Sequence, residues 1–145
     1  MWMSEEIIGR INGLRRLDNK YFNLIFTNSR LIGEYVAGTG IFLALGALGL
    51  AAAEPGIRNQ AVQMGENKTP EEILSEHKIN FEINNFDIDK IIVKKSLFDS
   101  SMLIKFNQKV PKLGKNVLFL FPKKGIEEVE PVVIHAFPNK VTVKK

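Results

Sequence analysis

Alternating apolar and polar residues predict three strands in the first 37 residues of the chain. The middle strand is centred on three apolar residues that share one face: Phe22, Leu24 and Phe26. Asn28-Ser29 predicts a two-residue turn after it, because asparagine tolerates the positive φ that such hairpins need. Gly9 and Gly13 predict bulges or a strong bend in the first strand, which the closing of a small barrel requires.

The same alternation returns after Ile79 and predicts four further strands. Their shared apolar faces consist of Phe81 and Ile83, then Ile88, Ile91 and Val93, then Met102, Ile104 and Phe106, and finally Val117, Phe119 and Phe121. Leu118 and Leu120 make the last strand apolar on its other face as well, so this face is expected to need a cover. A short strand or tail is expected over residues 140–144.

Helical spacing of apolar residues over 126–137 predicts a carboxy-terminal helix that supplies this cover. Proline in a helix interior costs about 3 kcal/mol, so the regular part is expected to start near Glu130, with Pro131 in its first turn. Pro138 is expected to end it.

An insertion over residues 38–78 separates the two sets of strands. Thr69-Pro70-Glu71-Glu72 is a capping-box sequence, with threonine as N-cap and glutamate three residues later, and predicts a short helix over 70–77. The residues from Glu54 to Lys68 are expected to form an exposed connection.

The insertion begins with an apolar segment, residues 36–53, that carries no charge between Glu34 and Glu54. As a helix these 18 residues would reach about 27 Å, just short of a hydrocarbon core of about 30 Å. A single crossing would split the two sets of strands, which argues against a span. The segment is therefore expected to pack on the barrel, to form a subunit interface, or to lie in a membrane surface. Its bulky side, the expected membrane or partner contact, comprises Ile41, Phe42, Leu45 and Leu48.

Two stretches of the sequence resemble the pleckstrin-homology-like (PH-like) domains. Residues 22–32, which read FNLIFTNSRLI, are similar to a hairpin of the short bacterial and archaeal PH-like domains and of the related GRAM domains. Residues 86–95 followed by 102–106 resemble a strand pair of the same domains. The resemblance implies a binding or adaptor module, often near membranes. The clustered basic motif with which eukaryotic members hold inositol phosphates is absent, so phosphoinositide binding is not implied.

These patterns together predict an α+β, mainly β fold in one domain over residues 1–145. The expected architecture is a PH-like, seven-stranded, partly open barrel or sandwich, with a carboxy-terminal capping helix and a helical insertion after the third strand. The chain has 145 residues and no cysteine, which excludes thiol catalysis and cysteine-based metal sites. No signal peptide is visible at the acidic amino terminus, so a cytoplasmic location is expected.

The sequence offers no constellation that supports catalysis. His77 and His135 are its only histidines, and both fall late in predicted helices, where a structural role is expected. Asp87 and Asp89 precede a strand, where paired acids usually initiate turns. We therefore expect no enzyme activity, no metal site and no cofactor, and the sequence identifies no small-molecule substrate.

A lysine-rich region gives the chain its positive charge. Residues 90–124 contain nine lysines and one acid, a local charge of +8, which leaves −4 for the other residues because the whole chain carries +4. The candidate anion-binding residues are Lys90, Lys94, Lys95, Lys105, Lys109, Lys112 and Lys115. Such a run can be a solvated face, an anionic-membrane contact or a nucleic-acid contact. Nucleic acid is the less favoured partner, since arginine and exposed aromatic residues do not interleave the run.

Three functional hypotheses follow. The leading one is a non-enzymatic binding or scaffolding module, peripheral at the cytoplasmic membrane face. The second is a protein-interaction module that forms a homo-oligomer through the apolar insertion. The third is a small barrel that binds RNA or DNA through its lysine-rich strands.

Overall fold

The computed structural model describes residues 5–38, 56–57, 59–64, 68–97 and 99–144. Within them the fold is mainly β. The strands are β1 (Ile7–Arg16), β2 (Lys20–Thr27), β3 (Arg30–Gly38), β4 (Phe81–Asn84), β5 (Ile88–Lys94), β6 (Asp99–Val110), β7 (Gly114–Pro122) and β8 (Val141–Lys144). The helices are α1 (Pro70–Glu76) and α2 (Ile126–Ala136), with short 3-10 turns at Asn85–Asp87 and Lys123–Gly125 and helical residues at 59–63. The bulky apolar residues of the insertion, at positions 41, 42, 45 and 48, lie outside the described residues.

All eight described strands form one open sheet in the order β4-β3-β2-β1-β7-β6-β5-β8. The expected number of seven was wrong, because residues 141–144 pair in parallel with β5 and add an eighth strand. The other neighbours are antiparallel. The sheet does not close: β4 and β8 are its two edges.

The predicted turn at Asn28-Ser29 joins β2 to β3, but its stabilising contacts differ from the expected ones. Positive φ among the described non-glycine residues occurs at Asn19 and Lys112, not at Asn28. The hydroxyl of Thr27 instead accepts hydrogen bonds from the backbone N–H groups of Ser29 (3.2 Å) and Arg30 (2.9 Å). A side-chain oxygen that satisfies turn amides is an alternative to left-handed backbone.

The inward face of the sheet forms the main core together with α2. Phe22, Phe81 and Phe119 meet at its centre, with ring centroids 5.3 to 6.4 Å apart. Helix α2 adds Val129 and Val133 to this same core. The helix therefore covers the inward face, and the expectation that it covers Leu118 and Leu120 was wrong.

Helix α2 also begins earlier than expected, at Ile126, so that Pro131 lies in its interior. Proline there removes one backbone hydrogen bond. Burial of a large aliphatic side chain contributes about 1.5–3 kcal/mol, and the first two turns bury both Ile126 and Val129. This gain outweighs the lost bond.

Glycines in β1 let the strand bend under α2. The register of β1 on β2 shifts between Ile7 and Gly9 and between Ile11 and Leu14, which confirms the predicted bulges. Gly13 has φ 69° within the second shift. A Cβ at Gly9 would stand 2.8 Å from Cγ1 of Val132 in α2, so the helix approaches the strand where a side chain is missing.

The insertion packs, in its described part, on the outward face of β2 and β3. Ile57 and Ala61 are buried against Tyr21 and Val36, so the expectation of an exposed connection from Glu54 to Lys68 was wrong at these two positions. Further along the strands, helix α1 buries Ile73 against two isoleucines, Ile25 and Ile32. Thr69 caps α1 and Glu72 completes the predicted capping box. Among the described residues no helix has both the length and the apolar character needed to cross a membrane.

Candidate anion-binding surface

The outward face of β5–β8 gathers three of the predicted lysines with one that the sequence did not single out. Lys90 stands opposite Lys105 on the neighbouring strand, and Lys94 stands beside Lys144. Lys94 and Lys105 alternate with buried core residues, Lys90 precedes the buried Ile91, and Lys144 follows the partly buried Val143. All four therefore project from the opposite face of the sheet. Lys144 was missed because residues 140–144 gave no clear prediction of strand pairing.

An aliphatic row separates the two lysine pairs. Ile92 lies opposite Leu103, which lies opposite Leu118 on the next strand. All three are half-buried, and so is Leu120 at the end of the row. We call this surface the basic–apolar face, comprising Lys90, Ile92, Lys94, Leu103, Lys105, Leu118, Leu120 and Lys144.

Among the described residues the four lysines of this face form no ion pairs, and the nearest acid in sequence is the exposed Asp89 beside Lys90. In the part of the chain that the structure describes, none of them has a carboxylate oxygen within 4.0 Å. Like charges directly opposite each other in a sheet are destabilising, and neighbouring strands are only about 4.8 Å apart. A bound anion would relieve the repulsion within both pairs.

Most other cations near the sheet already have a partner. Arg15, at the β1 margin of the face, is paired with Asp99 at 3.1 Å. Arg16 and Lys20, near the first turn, share Asp18 at 2.6 and 3.3 Å, which lowers the pKa of that carboxyl to about 2. The basic–apolar face therefore differs from the β1–β2 region in its lack of counter-charge.

The remaining predicted lysines lie elsewhere. Lys95 follows β5 and is exposed, and Lys109 and Lys115 are exposed near the far end of the β6–β7 hairpin. The ammonium group of Lys112 donates to the carbonyl oxygens of Lys78 (2.7 Å) and Asn80 (2.8 Å). Lys112 thus ties the hairpin to the loop before β4, and this engagement removes it from the candidate surface.

A charged cluster around Arg30 fastens the β2–β3 turn. Its guanidinium donates to Glu5 (2.8 and 2.9 Å), to Glu71 in α1 (2.7 Å) and to Glu82 in β4 (2.5 Å). Hydrogen bonds from Arg30, Thr27 and Ser29 lower the pKa of Glu5 to about 2, against the opposing effect of burial. The cluster links four segments of the fold, so its role is structural.

A second polar cluster lies buried beneath the insertion. Glu34, whose side chain is 1% exposed, accepts from Arg10 and from Asn23, both at 3.0 Å. Asn23 also donates to the carbonyl oxygen of Ala61 (2.8 Å), and Arg10 donates to that of Met64. The second carboxylate oxygen of Glu34 has no hydrogen-bond partner among the described residues. Sequence reasoning missed this cluster, because the insertion that buries it is distant along the chain.

The two histidines lie apart. His77 follows α1, where its Nδ1 accepts from the N–H of Ile79 (3.3 Å) and its ring lies 4.8 Å from that of Tyr35. His135 is exposed in the last turn of α2. Asp87 accepts a hydrogen bond from Gln108 (3.0 Å). Among the described residues, no three His, Asp or Glu side chains form a group that could hold a metal ion.

Comparison with known proteins adds no assignment: no family model matches the chain, and a search of curated proteins gives no match. A function is therefore inferred from the geometry and charge of the candidate surface.

Proposed function

We propose that this protein is a non-enzymatic binding module of PH-like architecture, which associates peripherally with the cytoplasmic face of a membrane through its basic–apolar face. The observation that carries the proposal is the arrangement of Lys90/Lys105 and Lys94/Lys144 on either side of an aliphatic row, with no ion pair to any of the four lysines among the described residues. An anionic lipid surface offers negative charge to both pairs at once, and its acyl boundary accommodates half-buried aliphatic side chains.

The expected affinity follows from the number of lysines. Each basic residue near an anionic leaflet contributes about 1 kcal/mol, so the four lysines of the face supply about 4 kcal/mol. This corresponds to roughly a thousandfold preference for anionic over neutral vesicles. The interaction is expected to weaken with salt, since exposed charges are screened over about 8 Å at physiological ionic strength.

The element order supports the PH-like part of the proposal. Three strands, an insertion, four strands and a helix follow one another as the resemblance implies, and β8 is added at the sheet edge. The hairpin that carries the resemblance, residues 22–32, forms the β2–β3 connection.

Self-association through the same face is disfavoured, because two copies would bring eight ammonium groups together. Association through the apolar insertion would use other residues, at positions 41, 42, 45 and 48, and would not bring these lysines together. The homo-oligomer hypothesis is therefore tested by Leu45→Asp with Leu48→Asp, and not by changes on the sheet.

A flotation assay with charge-matched variants tests the proposal. Lys94→Glu with Lys105→Glu places one reversal in each lysine pair, whereas Lys109→Glu with Lys115→Glu makes the same change in net charge at exposed positions outside the face. We expect the first variant to lose binding to vesicles of phosphatidylcholine with phosphatidylserine, and the second to retain most of it.

Three results would count against the proposal. They are equal recovery of wild type on neutral and anionic vesicles, no binding to either, and equal losses in the two variants. Salt-sensitive binding to a generic RNA without binding to vesicles would favour the nucleic-acid alternative instead.

A further inference from the structure

A second basic site lies where β5 ends and β7 passes into α2. A pocket of about 460 Å³ opens there, lined by Lys95, Pro122, Lys123, Lys124, Ile126 and Glu127. Pockets of about 300–1,000 Å³ are the usual size of small-molecule sites. The pocket is separate from the aliphatic row of the basic–apolar face, since only its rim at Lys95 adjoins Lys94.

The backbone around this pocket is held by regular contacts. The N–H of Lys95 donates to the carbonyl oxygen of Lys144 (2.9 Å), so Lys95 is fixed at the point where β5 leaves the sheet. On the other side, Pro122 precedes the 3-10 turn that contains Lys123 and Lys124. Ile126 is 7% exposed and forms an apolar wall. The three lysines therefore stand on two ordered backbone segments at the mouth of one pocket.

Three of the six residues that line the pocket are lysines and one is Glu127, so the lining residues carry a formal charge of +2. Within the described residues, none of these four side chains takes part in an ion pair with any other. A phosphate monoester carries about −1.5 to −2 at pH 7 and presents three acceptor oxygens. Its charge and its acceptors match the three lysines, whereas a phosphodiester, with about one negative charge, would leave the site unbalanced.

We infer that this pocket binds a phosphate monoester group, carried either by a free phosphorylated small molecule or by a lipid headgroup. The inference does not depend on the basic–apolar face. A soluble phosphate ester can occupy the pocket without any membrane, and a phosphomonoester lipid would add a specific contact to the general attraction of the four lysines of the face.

The first arm of the test uses soluble probes. Inorganic phosphate and glycerol 3-phosphate are titrated into the full chain while the amide resonances of Lys95, Lys123 and Gly125 are followed by NMR. We expect saturable shifts at about pH 7.5 that weaken several-fold at about pH 5, because the second phosphate pKa lies near 6. Lys123→Gln with Lys124→Gln should weaken binding at least tenfold, whereas the charge-matched Lys109→Gln with Lys115→Gln should not.

The second arm uses vesicles of phosphatidylcholine with either phosphatidic acid or phosphatidylserine, adjusted to equal surface potential. Preference for phosphatidic acid that is lost in Lys123→Gln with Lys124→Gln identifies a lipid headgroup as the source of the monoester. Saturable binding of the soluble esters without that preference identifies a free phosphorylated ligand. The inference is overturned if neither arm shows binding, or if both variant pairs weaken it equally. Loss of phosphatidylserine binding in Lys94→Glu with Lys105→Glu reports on the basic–apolar face alone, so the two proposals can fail separately.

Discussion

Glu5 provides a direct test of the charged cluster that fastens the β2–β3 turn. Its carboxylate accepts hydrogen bonds from Arg30 at 2.8 and 2.9 Å, from Thr27 at 2.7 Å and from Ser29 at 2.8 Å. These contacts lower its pKa from the usual 4.5 to about 2. Glu5→Gln keeps the shape of the side chain and removes the charge, so it isolates this stabilisation.

The magnitude follows from the pKa shift. A lowering from 4.5 to about 2 corresponds to at most about 3.5 kcal/mol, since each pKa unit is worth about 1.4 kcal/mol. The side chain is 21% exposed, and solvent screening reduces the value of such pairs. We therefore expect Glu5→Gln to lower the free energy of unfolding by about 1–2 kcal/mol at neutral pH.

The sign of the pH dependence is fixed by the direction of the shift. Because the folded-state pKa is depressed, the contribution is complete above about pH 4.5 and disappears as the pH falls through about 2. Asp18, whose pKa is also lowered to about 2, loses its stabilisation in an overlapping range in both proteins. The difference between wild type and Glu5→Gln therefore reports on Glu5.

Urea unfolding followed by circular dichroism at a series of pH values gives this difference. We expect it to shrink towards zero as the solution is acidified through the window of Glu5. A difference that stays constant from neutral to strongly acidic pH would refute an ionic origin, and no difference at neutral pH would show that the cluster does not stabilise the fold.

Two further predictions concern close contacts in the sheet. Gly33→Ala should lower the free energy of unfolding in urea by about 2 kcal/mol or more, because a Cβ there would stand 2.2 Å from ring atoms of the buried Phe81. Gly56→Ala is the control, since among the described residues a Cβ there would meet no atom within 4 Å beyond its own chain neighbours and helix. Equal stability of the two variants would contradict the packing. Asn23→Ala should lower the free energy of unfolding by about 2–3 kcal/mol and speed proteolysis within residues 56–64, because the Asn23 side chain forms hydrogen bonds with Gly13, Glu34 and Ala61. An unchanged cleavage rate would show that the cluster does not hold the insertion.

The features that the sequence predicted well depend on neighbours along the chain. The helix start at Thr69 follows from a capping box spanning four residues, and the inward faces of β2, β6 and β7 follow from alternation. The bulges at Gly9 and Gly13 also follow from local residue type. Each of these patterns can be read from residues that are close together in the sequence.

The features that were missed depend on distant partners. Pro131 lies inside α2 because the helix buries Ile126 and Val129 against the sheet. Lys112 belonged to a charged run in the sequence, yet two carbonyl groups from the loop before β4 occupy its ammonium group. Lys144 joins the candidate surface only because β8 pairs with β5. In each case a tertiary contact overrides the local signal.

The outward faces of the two halves of the sheet differ in how their charges are paired, and this difference supports the proposed binding surface. On β2 and β3 the described part of the insertion covers the outward face, and the charges beneath it, Arg10 and Glu34, are paired with each other. On β5–β8 the outward lysines form no ion pair among the described residues, and the aliphatic row between them stays half-buried. Like charges that lie opposite each other in a sheet repel, and a bound anion would reduce this repulsion. The uncompensated half is therefore where a partner is expected to bind.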